Sequence, residues 1–72
     1  MIKLQRKPVS SSNLVSVGYD SNTSTLEIEF HNGLYEYYNV PQSVYKGLMD
    51  ADSKGSYFHQ KIKDVFNFKK LR

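Results

Sequence analysis

Apolar and polar residues alternate most regularly between Thr25 and Phe30. Leu26, Ile28 and Phe30 fall on one side of an extended chain, whereas the two glutamates between them fall on the other. Since successive side chains of a strand point to opposite faces, this period of two predicts a half-buried β-strand. The β-forming run Leu14–Tyr19 predicts the strand before it, with a turn of polar residues between the two.

The dipeptide Asn32-Gly33 follows this strand and predicts a β-hairpin, because both central residues of a type I′ turn require positive φ angles. The third predicted strand then begins at Leu34. With these two residues as the loop, Glu29 lies opposite Glu36. Two facing carboxylates can raise one carboxyl pKa. We interpret them instead as exposed groups that are separated by solvent or matched by a basic partner.

Tyr35 and Tyr37 are predicted to lie on the apolar side of the hairpin, because paired residues share a face of the sheet. They are therefore expected in the core, with hydroxyl groups that reach polar partners at its edge. A slip of one residue would turn both tyrosines outward. The other face of the hairpin is predicted to be acidic and to contain Glu27, Glu29, Glu36 and Tyr38.

Two helices are predicted in the second half of the chain. The first, Pro41–Ala51, begins with a proline that suits the first helical position, and Val44 and Leu48 give it an apolar side. Asp52 or Ser53 is expected to cap the second helix. The residues of that second segment that are predicted to face the core are Phe58, Ile62, Val65 and Phe66.

The order of these elements predicts an α+β domain that spans residues 1–72, with two helices packed on one face of an antiparallel sheet of three or four strands. Ile2–Lys7, within residues 1–9, is expected to be an edge strand or an arm. A closing strand is expected at Asn67–Leu71, with Phe68 turned inward.

Charge is unevenly distributed along the chain. The net charge is +3, and both ends are basic while the middle is acidic. Basic ends can attract polyanions, although lysine and arginine also keep small proteins in solution. The sequence has no cysteine, which excludes disulfides and thiol chemistry. No apolar run approaches a membrane span or a signal peptide. We therefore expect a cytoplasmic protein that does not enter the membrane.

Catalysis is not expected from this sequence. His31 and His59 lack the spacing of a metal site, and the serine run 10–12 has no neighbouring base. We therefore predict a non-catalytic protein without a metal or a cofactor.

A phosphate site is the sharper possibility, at the run Ser53-Lys54-Gly55-Ser56-Tyr57. The run is expected at a helix N-terminus, where free backbone N–H groups and the helix dipole favour an anion. Glycine allows close approach to the backbone. Lys54, Tyr57 and Lys61 would form one stripe, in which the tyrosine stacks on a base. The alternative is a capped helix whose glycine packs against the sheet.

Three stretches resemble the KTSC domain family. They are 12–20, the Tyr-x-Tyr pair at Tyr35 and Tyr37 leading to Pro41, and 51–58. The departure is His59, where a small polar residue is expected. The family is named for the C-terminal extension of some lysyl-tRNA synthetases and also occurs as small separate proteins. The resemblance implies a role in RNA binding and brings no catalytic residues.

Three functions remain open. The first is a binding module for RNA or another phosphate-bearing polyanion. The second is a protein that binds or sequesters a nucleotide-like ligand. A site between protomers of an oligomer would suit it, since so short a chain has little room for an internal pocket of ~300 Å³. The third is a protein-interaction module that uses an unpaired strand edge.

Overall fold

A computed structural model describes residues 6–72 of the chain. Its elements are β1 (Lys7–Pro8), β2 (Leu14–Asp20), β3 (Thr25–Phe30), β4 (Gly33–Tyr37), α1 (Gln42–Asp50), α2 (Lys54–Lys61) and β5 (Phe68–Lys70). The strands form one antiparallel sheet in the order β1-β2-β3-β4-β5. The predicted α+β class is confirmed, with five strands rather than three or four. Most of the predicted N-terminal strand or arm lies outside the described residues.

The core lies between one face of the sheet and the two helices. Leu26 and Ile28 of β3 are fully buried, as the alternation predicts, and the glutamate between them points away. Leu48 of α1 and Phe58 of α2 pack on this face of the sheet and complete the core. The buried cluster contains Leu14, Val17, Leu26, Ile28, Tyr37, Val40, Leu48, Phe58 and Ile62.

The turn of the β3–β4 hairpin lies one residue earlier than predicted. Phe30 pairs with Gly33, so the loop consists of His31 and Asn32, neither of which has a positive φ angle. Gly33 is instead required by a distant segment, because a Cβ atom there would lie 2.6 Å from the carbonyl oxygen of Arg72. The glycine thus allows the C-terminal backbone to pass close to the start of β4.

The observed register keeps the predicted faces but changes the pairs. Ile28 lies opposite Tyr35, so Tyr35 and Tyr37 share the core side of the sheet as expected. Tyr37 is 4% exposed, whereas Tyr35 is only partly buried. The predicted pairing of Glu29 with Glu36 is wrong, because the turn has moved and Glu36 lies opposite Glu27.

The opposite side of the sheet, here called the outer face, is acidic but its carboxylates have partners. Glu27 is buried and forms an ion pair with Arg6. Glu29 accepts a hydrogen bond of 2.9 Å from the Ser16 hydroxyl, and its other carboxylate oxygen lies 3.7 Å from the Arg72 guanidinium. The basic ends of the chain therefore lie beside its acidic middle.

Both helices begin close to their predicted starts, whereas α2 ends earlier than predicted, before Val65 and Phe66. Pro41 precedes the first turn of α1 as its N-cap, and Ser53 caps α2, where its hydroxyl accepts a hydrogen bond from the Ser56 backbone N–H. The helix α2 ends at Lys61, and a turn follows in which Asp64 has a φ of 63°.

Two apolar residues near the C-terminus are more exposed than predicted. Val65 is 60% exposed, because the chain has left the helix before it, whereas Ile62 is fully buried and Phe66 packs on the core. Phe68 pairs with Tyr37 and so lies on the core side of the sheet, as expected. It is nevertheless 56% exposed, because β5 is an edge strand.

Candidate functional site

A groove of about 550 Å³ opens on the core side of the sheet, between the start of β5 and the helix α2. We call it the aromatic groove. Its aromatic lining comes from both hairpin strands, from α2 and from β5, and consists of Phe30, Tyr35, Tyr37, Phe58 and Phe68. Its polar lining consists of Asn13, His31, Asn32, His59, Lys63 and Asp64.

The rings of the aromatic groove pack on one another. Phe58 meets Phe30 and Tyr37 edge to face, with ring centroids 5.0 and 5.6 Å apart. Phe68 lies tilted beside Tyr37 and Tyr35, at 5.5 and 5.9 Å. These separations are favourable for aromatic pairs. The floor of the groove is therefore part of the core, and Phe68 forms its exposed wall.

Positive charge is present beside the aromatic rings. The Lys70 ammonium lies 5.8 Å from the centre of the Tyr35 ring, within reach of a cation–π contact. Lys63 is an exposed lining residue, next to Asp64 in sequence. Burial, with smaller contributions from the charges of Tyr35 and Asp64, raises the pKa of Tyr37 to about 12. Its hydroxyl is therefore neutral near pH 7 and is not a candidate base.

A second, polar groove of about 650 Å³ adjoins the first. We call it the serine groove, and it lies between the loop before β2 and the start of α2. Asn13, Gly55 and His59 line both grooves. The other residues of the serine groove are Ser10, Ser11, Ser12, Asp52, Ser53, Lys54 and Ser56. A molecule with an aromatic part and a polar part can therefore contact both grooves at once.

The serines around this groove also hold the local backbone. The Ser11 hydroxyl oxygen accepts from the backbone N–H groups of Asn13 and Leu14, each at 3.3 Å. The Ser53 oxygen accepts from the Ser56 N–H at 3.3 Å, and its O–H donates to the Ser56 hydroxyl oxygen at 3.1 Å. Since a hydroxyl group both donates and accepts, the O–H groups of Ser11 and Ser56 can still donate to a ligand.

The predicted phosphate residues are only partly brought together. Ser53, Lys54, Gly55 and Ser56 line the serine groove, whereas Tyr57 and Lys61 line neither groove. The Lys54 ammonium donates to the Ala51 carbonyl oxygen at 3.2 Å, at the end of α1. The predicted stripe along one face of the second helix is therefore not a single ligand-facing surface.

The two glycines beside these residues have structural explanations. A Cβ atom on Gly55 would lie 2.8 Å from the Asn13 side-chain nitrogen, so the carboxamide occupies the space expected for a ligand. A Cβ atom on Gly47 would overlap the Tyr57 hydroxyl. Tyr57 therefore packs against α1, which leaves it poorly placed to stack on a base.

Several residues of the aromatic groove were not predicted as site residues. Asn13 and Lys63 lie far apart in sequence and meet only in the folded chain. The His31 Nε2 donates to the Ser12 carbonyl oxygen at 3.2 Å, because a carbonyl oxygen can only accept. Phe68 was predicted to face the core. The signal for its exposure was its position on a closing strand, because such a strand lies at the edge of the sheet.

The described residues contain no cluster of three or more histidines, cysteines, aspartates or glutamates that could hold a metal ion. Within residues 6–72, no helix is long and apolar enough to cross a membrane.

Comparison with known proteins gives consistent matches. A sequence profile of the KTSC domain matches residues 10–66. A lysine–tRNA ligase from Trichormus variabilis is 48% identical over 54 residues, which are 74% of this chain and only 10% of the ligase. An uncharacterized protein from Stutzerimonas stutzeri is 44% identical over 61 residues, 83% of this chain and 86% of that protein. The crystal structure of a KTSC domain protein from Yersinia pestis has a TM-score of 0.94 at 42% identity, and the match covers 97% of this chain and 100% of that one.

Proposed function

The chain belongs to the KTSC domain family, and from its two adjoining grooves we propose that it is a non-catalytic module that binds RNA or another phosphate-bearing polyanion. The observation that carries the proposal is the continuity of an aromatic groove with a hydroxyl-rich groove on a chain of net charge +3. Bases stack on aromatic rings, and phosphates accept hydrogen bonds from hydroxyl and ammonium groups. We also propose a cytoplasmic location, in keeping with a chain that has no cysteine.

RNA is favoured among polyanions by the matched relatives. The lysine–tRNA ligases are named for an RNA substrate, and this chain matches about a tenth of their length. What is proposed is that the shared segment contributes contacts to RNA.

The helix side of the molecule is the proposed binding side. On the outer face, Arg6 and Arg72 already lie beside glutamates, so these two arginines are poorly available for phosphates. Lys63 and Lys70 flank the aromatic groove and are exposed. The phosphate contacts are proposed in the serine groove, at the hydroxyl groups of Ser11 and Ser56, with Lys54 and Lys61 as neighbouring charges.

Fluorescence anisotropy with labelled tRNA and a short single-stranded RNA, across a salt series, tests this proposal. We expect binding that weakens as salt rises, because counterions are released when lysines contact phosphates. A Lys63→Ala/Lys70→Ala variant tests the aromatic groove, and Lys54→Ala/Lys61→Ala tests the serine groove. The matched control is Lys7→Ala/Lys46→Ala, which removes the same charge from exposed positions outside both grooves.

The expected result is that the groove variants lose more affinity than the control and give a shallower salt dependence. Equal losses in all three double variants would indicate a diffuse charge effect without a site. No binding to either RNA at low salt would overturn the proposal.

The nucleotide-ligand hypothesis is supported by one observation. The aromatic groove is open and has a volume within the range of about 300–1,000 Å³ that is typical of small-molecule sites. An open groove on one chain thus has the volume of such a site without an internal pocket, so the hypothesis does not require a second protomer. Native mass spectrometry of the purified protein would detect a retained nucleotide.

The protein-interaction hypothesis is less favoured, because Lys69 and Lys70 on the β5 edge oppose the addition of a strand from another chain.

A further inference from the structure

Phe68 has an environment that the fold does not explain. It lies on the core side of the sheet beside Tyr35 and Tyr37, yet 56% of it is exposed. The other two residues of β5 are lysines, so Phe68 is the apolar residue of this edge strand. An exposed ring that continues a cluster of packed rings is therefore suited to contact something outside the chain.

We propose that the aromatic groove binds one unpaired base of a single-stranded RNA, with Phe68 as the residue on which the base stacks. This inference rests on the proposed function and names the form of RNA that the site accepts. In a duplex, both faces of each base are covered by neighbouring bases. Recognition through ring faces therefore requires a base that has left the stack.

The polar residues of the groove match the edge of a base. Asn13, Asn32 and His59 are exposed lining residues, and their side chains contain the donors and acceptors that bind base edges. Asp64 is the acidic residue of the lining, and its carboxylate can accept from an exocyclic amino group but opposes a phosphate. The proposal therefore predicts a preference for adenine or cytosine over uracil.

The lysines beside the groove are positioned to contact the RNA phosphates on either side of this base. Lys63 belongs to the groove lining and Lys70 lies over Tyr35, so ammonium groups flank the rings. The serine groove, which shares Asn13 and Gly55 with the aromatic groove, provides hydroxyl donors for the next phosphate. An apolar peptide side chain would use the rings but not these flanking cations, and a second copy of this chain would bring its own lysines toward them.

The test compares one RNA in two forms. A 12-nucleotide, adenine-rich RNA with a single 2-aminopurine is titrated as a single strand and after annealing to its complement. The proteins are wild type, Phe68→Leu, which keeps an apolar side chain without the ring, and Phe68→Tyr, which keeps the ring. Val65→Ala is the control, since Val65 is an exposed apolar residue outside the groove. Thermal unfolding checks that every variant is folded.

We expect the single strand to bind at least about tenfold more tightly than the duplex, and 2-aminopurine fluorescence to change on binding. Phe68→Leu should lower single-strand affinity by about tenfold and leave duplex affinity unchanged, in the range of one lost stacking contact. Phe68→Tyr and Val65→Ala should bind like wild type.

Two results would overturn the inference while leaving RNA binding intact. The first is equal affinity for both forms together with an unaffected Phe68→Leu variant. The second is a wild-type oligomer that Phe68→Leu converts to a monomer in sedimentation analysis, which would make the groove an interface between copies. If neither RNA form binds to wild type, the proposed function fails with it.

Discussion

The two sides of the sheet differ in how their conspicuous residues are used. On the outer face, the glutamates that stand out in the sequence are matched by groups of the same chain, such as Arg6 and Ser16. On the core side, most aromatic residues are packed, but the cluster continues to an exposed ring at Phe68. The charged residues of the outer face therefore mainly stabilise the fold, whereas the aromatic residues both fill the core and line the candidate site.

The largest expected effect separates two phenylalanines that line the same groove. Phe58 is 6% exposed and Phe68 is 56% exposed. Phe58→Ala should lower the free energy of unfolding by about 3–5 kcal/mol, because it removes a ring from the centre of the core. Phe68→Ala should lower it by less than about 1 kcal/mol. Urea unfolding followed by circular dichroism measures both, and equal losses would remove the distinction between core and site.

A smaller effect is expected on the outer face. Arg6→Ala leaves the buried Glu27 carboxylate without its ion-pair partner and should cost about 1–3 kcal/mol of unfolding free energy. Arg72→Ala is the matched control, since that guanidinium is mostly exposed and 3.7 Å from Glu29, and it should cost at most about 0.5 kcal/mol. If the two variants were equally stable, the outer face would not be a set of structural pairs.

The smallest effect appears only at high pH. Burial is the main cause that raises the pKa of Tyr37 from its ordinary value of 10.0 to about 12 in the folded chain. The unfolded chain therefore loses this proton first, so stability is fully present below about pH 10 and falls as the pH rises toward about 12. Urea unfolding at a series of pH values measures the decline, and Tyr37→Phe should reduce it. An unchanged slope in that variant would assign alkaline sensitivity to other groups.

Local pattern was sufficient for most elements. The alternation around Ile28 predicted β3 and its buried side, and the pair Asp52-Ser53 predicted the start of α2, which Ser53 caps. The faces of Tyr35 and Tyr37 were also predicted correctly although the turn was one residue off. The observed turn shifts the pairing by two residues in total, and a shift of two preserves the faces because side chains alternate with a period of two.

The candidate site was less accessible to prediction. The run around Lys54 suggested a helix-terminal phosphate site, but the lysine extends to the end of α1 and Gly55 is covered by Asn13. Those contacts join residues that are remote in sequence. No local rule indicates which side chain of a distant loop will occupy the space above a glycine.

The sequence by itself determined the strands of the hairpin and the starts of the helices, because these depend on residues close together in the chain. It also determined the family, from three motifs along the chain, and the α+β class, from the order of the elements. Only the tertiary structure decided that Gly33 serves the C-terminal segment, that the basic ends lie beside the acidic strands, and that Phe68 is exposed. The physical reason is that the sequence pattern around a phenylalanine is the same whether its ring is buried or exposed in the folded chain. Their difference depends on whether another element packs over them, and β5 lies at the edge of the sheet.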